Sequence, residues 1–254
     1  MEHNEYNFSG EELTQLTLAE IVQRNFHSAA VFEKYGLDFC CRGNKPVSQA
    51  CEEKGLNQEE ILTEIRYLSN KAAGSVRHDE WGLDFMIDYI INTHHEYVRK
   101  MIPVLSAHTE KIATVHGIRH PELIEIAKKF SLVYKELKQH MFKEEQILFP
   151  YIKQMVKAAG SRAKFEAPYF GSVTNPIKMM EVEHQNAGDE LFGIRDLSNN
   201  YAVPEDACNT YRITMLELKE FEEDLHKHVH LENNILFPKS VKLEQELKEG
   251  AYQI

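Results

Sequence analysis

The chain has 254 residues, is 43% hydrophobic and 27% charged, and carries a formal net charge of −11. That length can bury a sizeable core, and the acidic balance argues against nucleic acid or an anionic membrane surface as a main partner. No apolar run reaches the length of a membrane span, and the opening MEHNEYNFSGEELTQL lacks the basic and apolar regions of a secretory signal. A cytoplasmic protein is therefore expected, with Cys40, Cys41, Cys51 and Cys208 as reduced thiols.

Residues 1–15 are polar. Thr17 is a candidate N-cap for a helix with Leu18, Ile21 and Val22 on one face. Ser28 is a candidate cap for AAVFEKYG, which Gly36 ends. LDFCCRGNKP reads as a turn, and VSQACEEKG as a short helix stopped by Gly55. Asn57 caps QEEILTEIRYLSNKAA, where Ile61, Leu62, Ile65 and Leu68 make an apolar stripe. Residues 1–72 thus read as a small helical domain and 73–82 as a linker.

Residues 83–254 read as long helices. The first runs from 83 to about 117. The second starts with Pro121 at its first position and reaches about 155, with a kink or break expected near Pro150. Residues 158–173 read as a loop, and Asn175-Pro176 as the cap and first position of a third helix to about 198. Pro204 opens a fourth that runs to about Leu236. No stretch alternates like a strand. The predicted fold is all-α: an up-down-up-down four-helix bundle preceded by a small helical domain.

Two stretches of the bundle carry one phrase. HMFKEEQILFP occupies 140–150 and HVHLENNILFP occupies 228–238, in register and 88 residues apart. His95 lies 45 residues before His140, and His184 lies 44 before His228, so the bundle reads as two copies of one helical hairpin. Positions four apart share a helix face, so His140 and Glu144 can aim at one point, as can His228 and Glu232. The following Ile, Leu and Phe are core-type residues, and a His–Glu face turned inward needs a partner. Four His and two Glu exceed one zinc site. They suit two metal ions, each with two imidazoles, with both carboxylates bridging and an oxo or hydroxo bridge leaving a position for a small ligand. Mixed imidazole and carboxylate ligation fits iron or manganese.

FEKYGLDFCCRGNKPVSQAC, KEEQILFP, EVEHQNAG and LENNILFP resemble the hemerythrin-like di-iron proteins that repair iron–sulfur clusters, over nearly the whole chain. The resemblance implies a hemerythrin-like bundle holding two iron ions on His95, His140, Glu144, His184, His228 and Glu232. It also favours His95 over its neighbour His94, as does the 45-residue spacing. Glu136 and Glu183 read either as surface carboxylates or, by resemblance, as lining a polar path to the metals. Cys40-Cys41 cannot form an unstrained disulfide. They are two small, partly buried residues or, as the resemblance implies, a thiol pair handling metal, nitric oxide or electrons. Cys51 and Cys208 read as plain small residues.

The implied function is repair of iron–sulfur clusters damaged by oxidative or nitrosative stress, by iron donation or nitric oxide handling. Damaged iron–sulfur proteins are the partners, nitric oxide or dioxygen the small ligand, and a homodimer is allowed by the resemblance. Nitric oxide reductase or transnitrosylase activity stays open. So does the alternative of a dioxygen or nitric oxide carrier or sensor.

Overall fold

The computed structural model describes residues 10–71, 77–161 and 168–250. Residues 1–9, 72–76, 162–167 in the expected loop and 251–254 lie outside it. The described residues divide into two compact units. One comprises the chain up to Gly82 with Val229–Pro238; the other comprises Leu83–His228 with the chain from Lys239 onward.

The first unit holds α1 (Gly10–Gln15), α2 (Leu18–Arg24), α3 (Ser28–Lys34), α4 (Val47–Lys54) and α5 (Gln58–Lys71). Thr17 caps α2 as expected: its hydroxyl accepts from Glu20 N, and the Glu20 carboxylate accepts from Thr17 N at 2.8 Å. Ser28 does not cap α3. It is the first helical residue, while Asn25 Oδ1 accepts from His27 N at 3.1 Å and Asn25 O from Ser28 N. Gly36 and Gly55 stop α3 and α4 at φ of 65° and 64°, a conformation that favours glycine. Asn57 Oδ1 accepts from Glu59 N at 3.1 Å and so caps α5. Val22, Phe32, Phe39, Ile61, Leu62 and Ile65 are fully buried, and burying each side chain contributes about 1.5–3 kcal/mol.

The other unit contains α6 (Leu83–Ile90), α7 (Glu96–His116), α8 (Glu122–Lys143), α9 (Phe149–Ser161), α10 (Thr174–Leu197), α11 (Asn209–Leu231, its last residues in the first unit) and α12 (Phe237–Lys248). A five-residue π turn joins α6 to α7 (Ile91–His95), α8 to α9 (Glu144–Leu148) and α11 to α12 (Glu232–Leu236). The long helices form an up-down-up-down bundle. α7 and α8 pack on each other while α6 packs on α9, as an antiparallel hairpin requires. Pairs such as His94 with Asp224 and His108 with Glu217 run α7 antiparallel to α11. No helix among the described residues is long and apolar enough to cross a membrane.

Several boundaries differ from expectation. Pro150 causes no break. Phe149 N instead donates to Glu144 O, five residues back, and Phe237 N donates to Glu232 O in the same way. The widened turn accepts the missing proline N–H without ending the helix. Pro121 precedes the first helical residue rather than occupying it. α9 continues to Ser161, into the expected loop. α10 opens at Thr174, and the Asn175 amide turns back to donate to Phe170 O at 2.8 Å. Its first amides are met instead by Glu244, which accepts from Val173 N, and by Ser172 Oγ, which accepts from Thr174 N. The fourth helix starts at Asn209, not Pro204, and passes Leu236 to end at Lys248.

The turn after α10 holds Asn199, Asn200 and Tyr201 at φ of 49°, 60° and 60°. A left-handed Tyr is strained and persists only where its surroundings hold it. Tyr201 N donates to Ser198 Oγ at 3.0 Å, and its hydroxyl donates to the buried Glu222 at 2.9 Å. Arg195 binds the same carboxylate through Nε and Nη2. Glu222→Ala removes the partner of both, and we expect a loss of about 3–5 kcal/mol in urea unfolding. Tyr201→Phe, which deletes one hydrogen bond, should cost about 1–2 kcal/mol.

Candidate metal centre

The structure brings the six residues of the repeated phrase and its paired histidines together. One group is His95, Glu144, His228 and Glu232; the other is His140, Glu144, His184 and Glu232. Each group has one ligand atom per residue within 4.8 Å of the rest, and every member is buried. Each joins a histidine from one sequence copy to a histidine from the other, and both carboxylates belong to both groups.

The local backbone explains the convergence. Glu144 and Glu232 each open a π turn, and His94 and His95 close the turn before α7. One extra residue per turn shifts the helix face by about 100°, which lets the apolar stripe stay in the core on both sides of the polar group.

His95 Nε2 lies 3.2 Å from His228 Nε2, and His184 Nε2 lies 2.9 Å from His140 Nε2. Glu144 Oε2 is 3.3 Å from both His95 Nε2 and His140 Nε2, so one carboxylate oxygen stands between the two pairs. Behind the rings, His95 Nδ1 lies 2.6 Å from Glu145 and His140 Nδ1 lies 2.9 Å from Glu183. A carboxylate at Nδ1 holds the proton there and leaves the Nε2 lone pair facing inward. Those two lone pairs, each facing the same Glu144 carboxylate oxygen, are repelled by it unless a cation lies among them. Two nitrogens bonded at right angles to one ion at about 2.1 Å are about 3.0 Å apart, close to both observed separations. The donor set therefore fits a pair of metal ions.

The carboxylates behind the rings are themselves held by cations. Lys143 Nζ donates to Glu183, and Arg99 Nη2 donates to Glu145. Burial works to raise the Glu183 carboxyl, but the bonds from His140 and Lys143 outweigh it and hold the group below its ordinary range. Phe149 stacks on His95, with centroids 5.7 Å apart.

Other predicted residues fall elsewhere. His94 is buried, but its Nδ1 meets Asp224 at 3.0 Å and its ring stacks on His228. Glu136 lies on an exposed part of α8, and the structure does not bring it to either group. Glu183 touches His140 directly rather than lining an open path. Cys40 and Cys41 sit with Asp38 in the first unit. Cys51 is buried, whereas Cys208 is exposed, with Sγ 3.2 Å from His116 Nε2. Backbone N–H from Tyr211 and the His116 ring push its thiol down to about 7. Sequence reasoning missed Glu145. Its signal was a break in the repeat, since Asn233 stands at the matching position of the second copy.

Residues 86–240 match a family described as the hemerythrin HHE cation binding domain, and residues 14–69 match a domain of unknown function, DUF542. The chain is 36% identical over 227 residues to a "Probable iron-sulfur cluster repair protein" of Haemophilus influenzae, covering 89% of this chain and 96% of that one. It is 35% identical over 212 residues to "Iron-sulfur cluster repair protein YtfE" of Yersinia pestis and of Yersinia pseudotuberculosis, covering 84% of this chain and 90% of theirs. The chain belongs to this family of iron-sulfur cluster repair proteins, which carry a hemerythrin-like cation-binding domain.

Proposed function

We propose that His95, His140, Glu144, His184, His228 and Glu232 hold two iron ions, and that the loaded protein restores iron–sulfur clusters damaged by oxidative or nitrosative stress. The observation that carries this reading is the shared Glu144 oxygen, 3.3 Å from a histidine nitrogen of each group. A carboxylate common to both groups would serve both ions, and Glu232 is common in the same way. Bound there, iron would supply a redox couple and an affinity for small ligands such as nitric oxide or dioxygen.

The chain's own residues define that environment. Glu145 and Glu183 orient two of the imidazoles and keep the Nδ1 proton in place. Lys143 helps to hold Glu183 ionised, and Arg99 pairs with Glu145. The buried walls exclude water from the metal-facing atoms, and Phe149 fixes the plane of the His95 ring. Under this reading iron is also cargo, and Cys40 and Cys41 take part in its delivery to a damaged cluster. Glu183 acts as a positioning residue.

The relatives' names supply the client class, and a direct assay tests it. A four-iron hydratase whose cluster has been broken by nitric oxide should regain activity when mixed with the iron-loaded chain and a reductant. His228→Ala should lower that recovery by at least about tenfold, as loss of a metal contact does. Cys40→Ala with Cys41→Ala should lower it while leaving bound iron in place. Equal recovery from wild type and His228→Ala would contradict the reading.

A further inference from the structure

The turn between α3 and α4 carries a second group of metal-type donors. Asp38 Oδ1 accepts from Cys40 N at 3.0 Å and from Cys41 N at 2.9 Å, which fixes the carboxylate over the two cysteines. The same oxygen lies 3.3 Å from Cys40 Sγ, and the two sulfurs are 3.8 Å apart. A disulfide needs about 2.05 Å, so the pair is far from bonded. Two thiolates at about 2.3 Å from one tetrahedral ion are about 3.8 Å apart, and a thiolate and a carboxylate oxygen on it are about 3.5 Å apart. The sulfur–sulfur separation matches that edge, the 3.3 Å contact lies close to the other, and all three donors lie within 4.8 Å of one another.

From this geometry we infer that Asp38, Cys40 and Cys41 form a three-ligand site for a tetrahedral divalent cation with thiolate affinity. The inference deepens the reading above, on which it rests only for the identity of the cargo: ferrous iron in transit. Two thiolates select iron(II) or zinc over magnesium or calcium. Three protein ligands leave a fourth position for an incoming thiol or water. Cys40 is buried and Cys41 half-buried, so the site has a protein wall on one side and an approach on the other. Without a cation, the Cys40 thiol is pushed well up by its bond with Cys41, by burial and by the Asp38 charge, which keeps it protonated. Binding as thiolates releases the thiol protons to solvent and moves no electron.

The turn is fastened within its own unit. Asn234 Nδ2 donates to Phe39 O at 3.3 Å and to Cys40 O at 3.4 Å, and Gln23 Nε2 donates to Asn234 O. Asn234 lies in the π turn that Glu232 opens, and buried His230 packs its ring edge against Phe39 with centroids 5.7 Å apart. These contacts hold the backbone of the three donors in one shape before an ion arrives, the condition for a preorganised site.

Cobalt(II) tests the site, because thiolate–cobalt charge transfer gives a near-ultraviolet band that a cage of His and Glu cannot produce. The full chain would carry Cys208→Ser, removing an exposed thiol pushed down to about 7. Anaerobic titration of the reduced protein should develop the band to a plateau of one thiolate-bound cobalt per chain, beside any cobalt taken by the His and Glu cage. Asp38→Asn keeps the acceptor for Cys40 N and Cys41 N but removes the charge, and should weaken binding at least about tenfold. Cys40→Ser with Cys41→Ser should abolish the band, and His228→Ala should leave it unchanged. Absence of the band in the Cys208→Ser chain, its survival in the double serine variant, or equal affinity in Asp38→Asn would each overturn the inference. Failure of the cage reading is seen separately, as a parent chain that shows the band yet takes up no iron.

Discussion

Two carboxylates without solvent contact set the terms for the rest of the molecule. Glu144 and Glu232 are fully buried, each on the same helical face as a buried histidine. An ionised carboxylate in a dry interior costs several kcal/mol unless positive charge compensates it, and evolution seldom retains such a group without one. Two inward-facing imidazole pairs supply the geometry for that charge, and metal ions supply the charge itself. The bundle can then be understood as a scaffold that brings four long helices to one polar centre and lets the apolar core close above and below it.

The π turns reconcile those demands. A helix that kept 3.6 residues per turn through His140, Glu144, Leu148 and Ile152 would drift its apolar stripe away from the core. Widening the turn at Glu144 and again at Glu232 resets the stripe, and it does so just before Pro150 and Pro238, where an ordinary helix would lose a hydrogen bond. The crossed pairing has a related consequence. His95 meets His228 and His140 meets His184, so neither hairpin owns a complete site. Metal binding and assembly of the two halves into one bundle are therefore linked, and metal that binds only the folded form stabilises it.

The doubled phrase made the bundle and its polar centre legible, because identical apolar surroundings place identical side chains at equal depth. Gly36, Gly55, Thr17 and Asn57 were legible for a similar reason, each having a local role that its own chemistry dictates. Asn175 and Pro204 misled because the amides that start α10 are met by Glu244 from far along the chain, and because a turn at Pro204 precedes α11. The π turns were invisible to a search at 3.6 residues per turn. Glu145 escaped because it is not repeated, and the His116–Cys208 contact because its partners are 92 residues apart. Glu136, one turn from His140 in sequence, faces solvent, in line with the surface reading of the two it was given.

The most direct test is anomalous diffraction at the iron edge from crystals of the anaerobically reconstituted chain. Two peaks are expected, one among His95, His228 and both glutamates, the other among His140, His184 and the same glutamates. A single peak, or none in a folded chain given excess ferrous iron, would contradict the crossed two-ion cage.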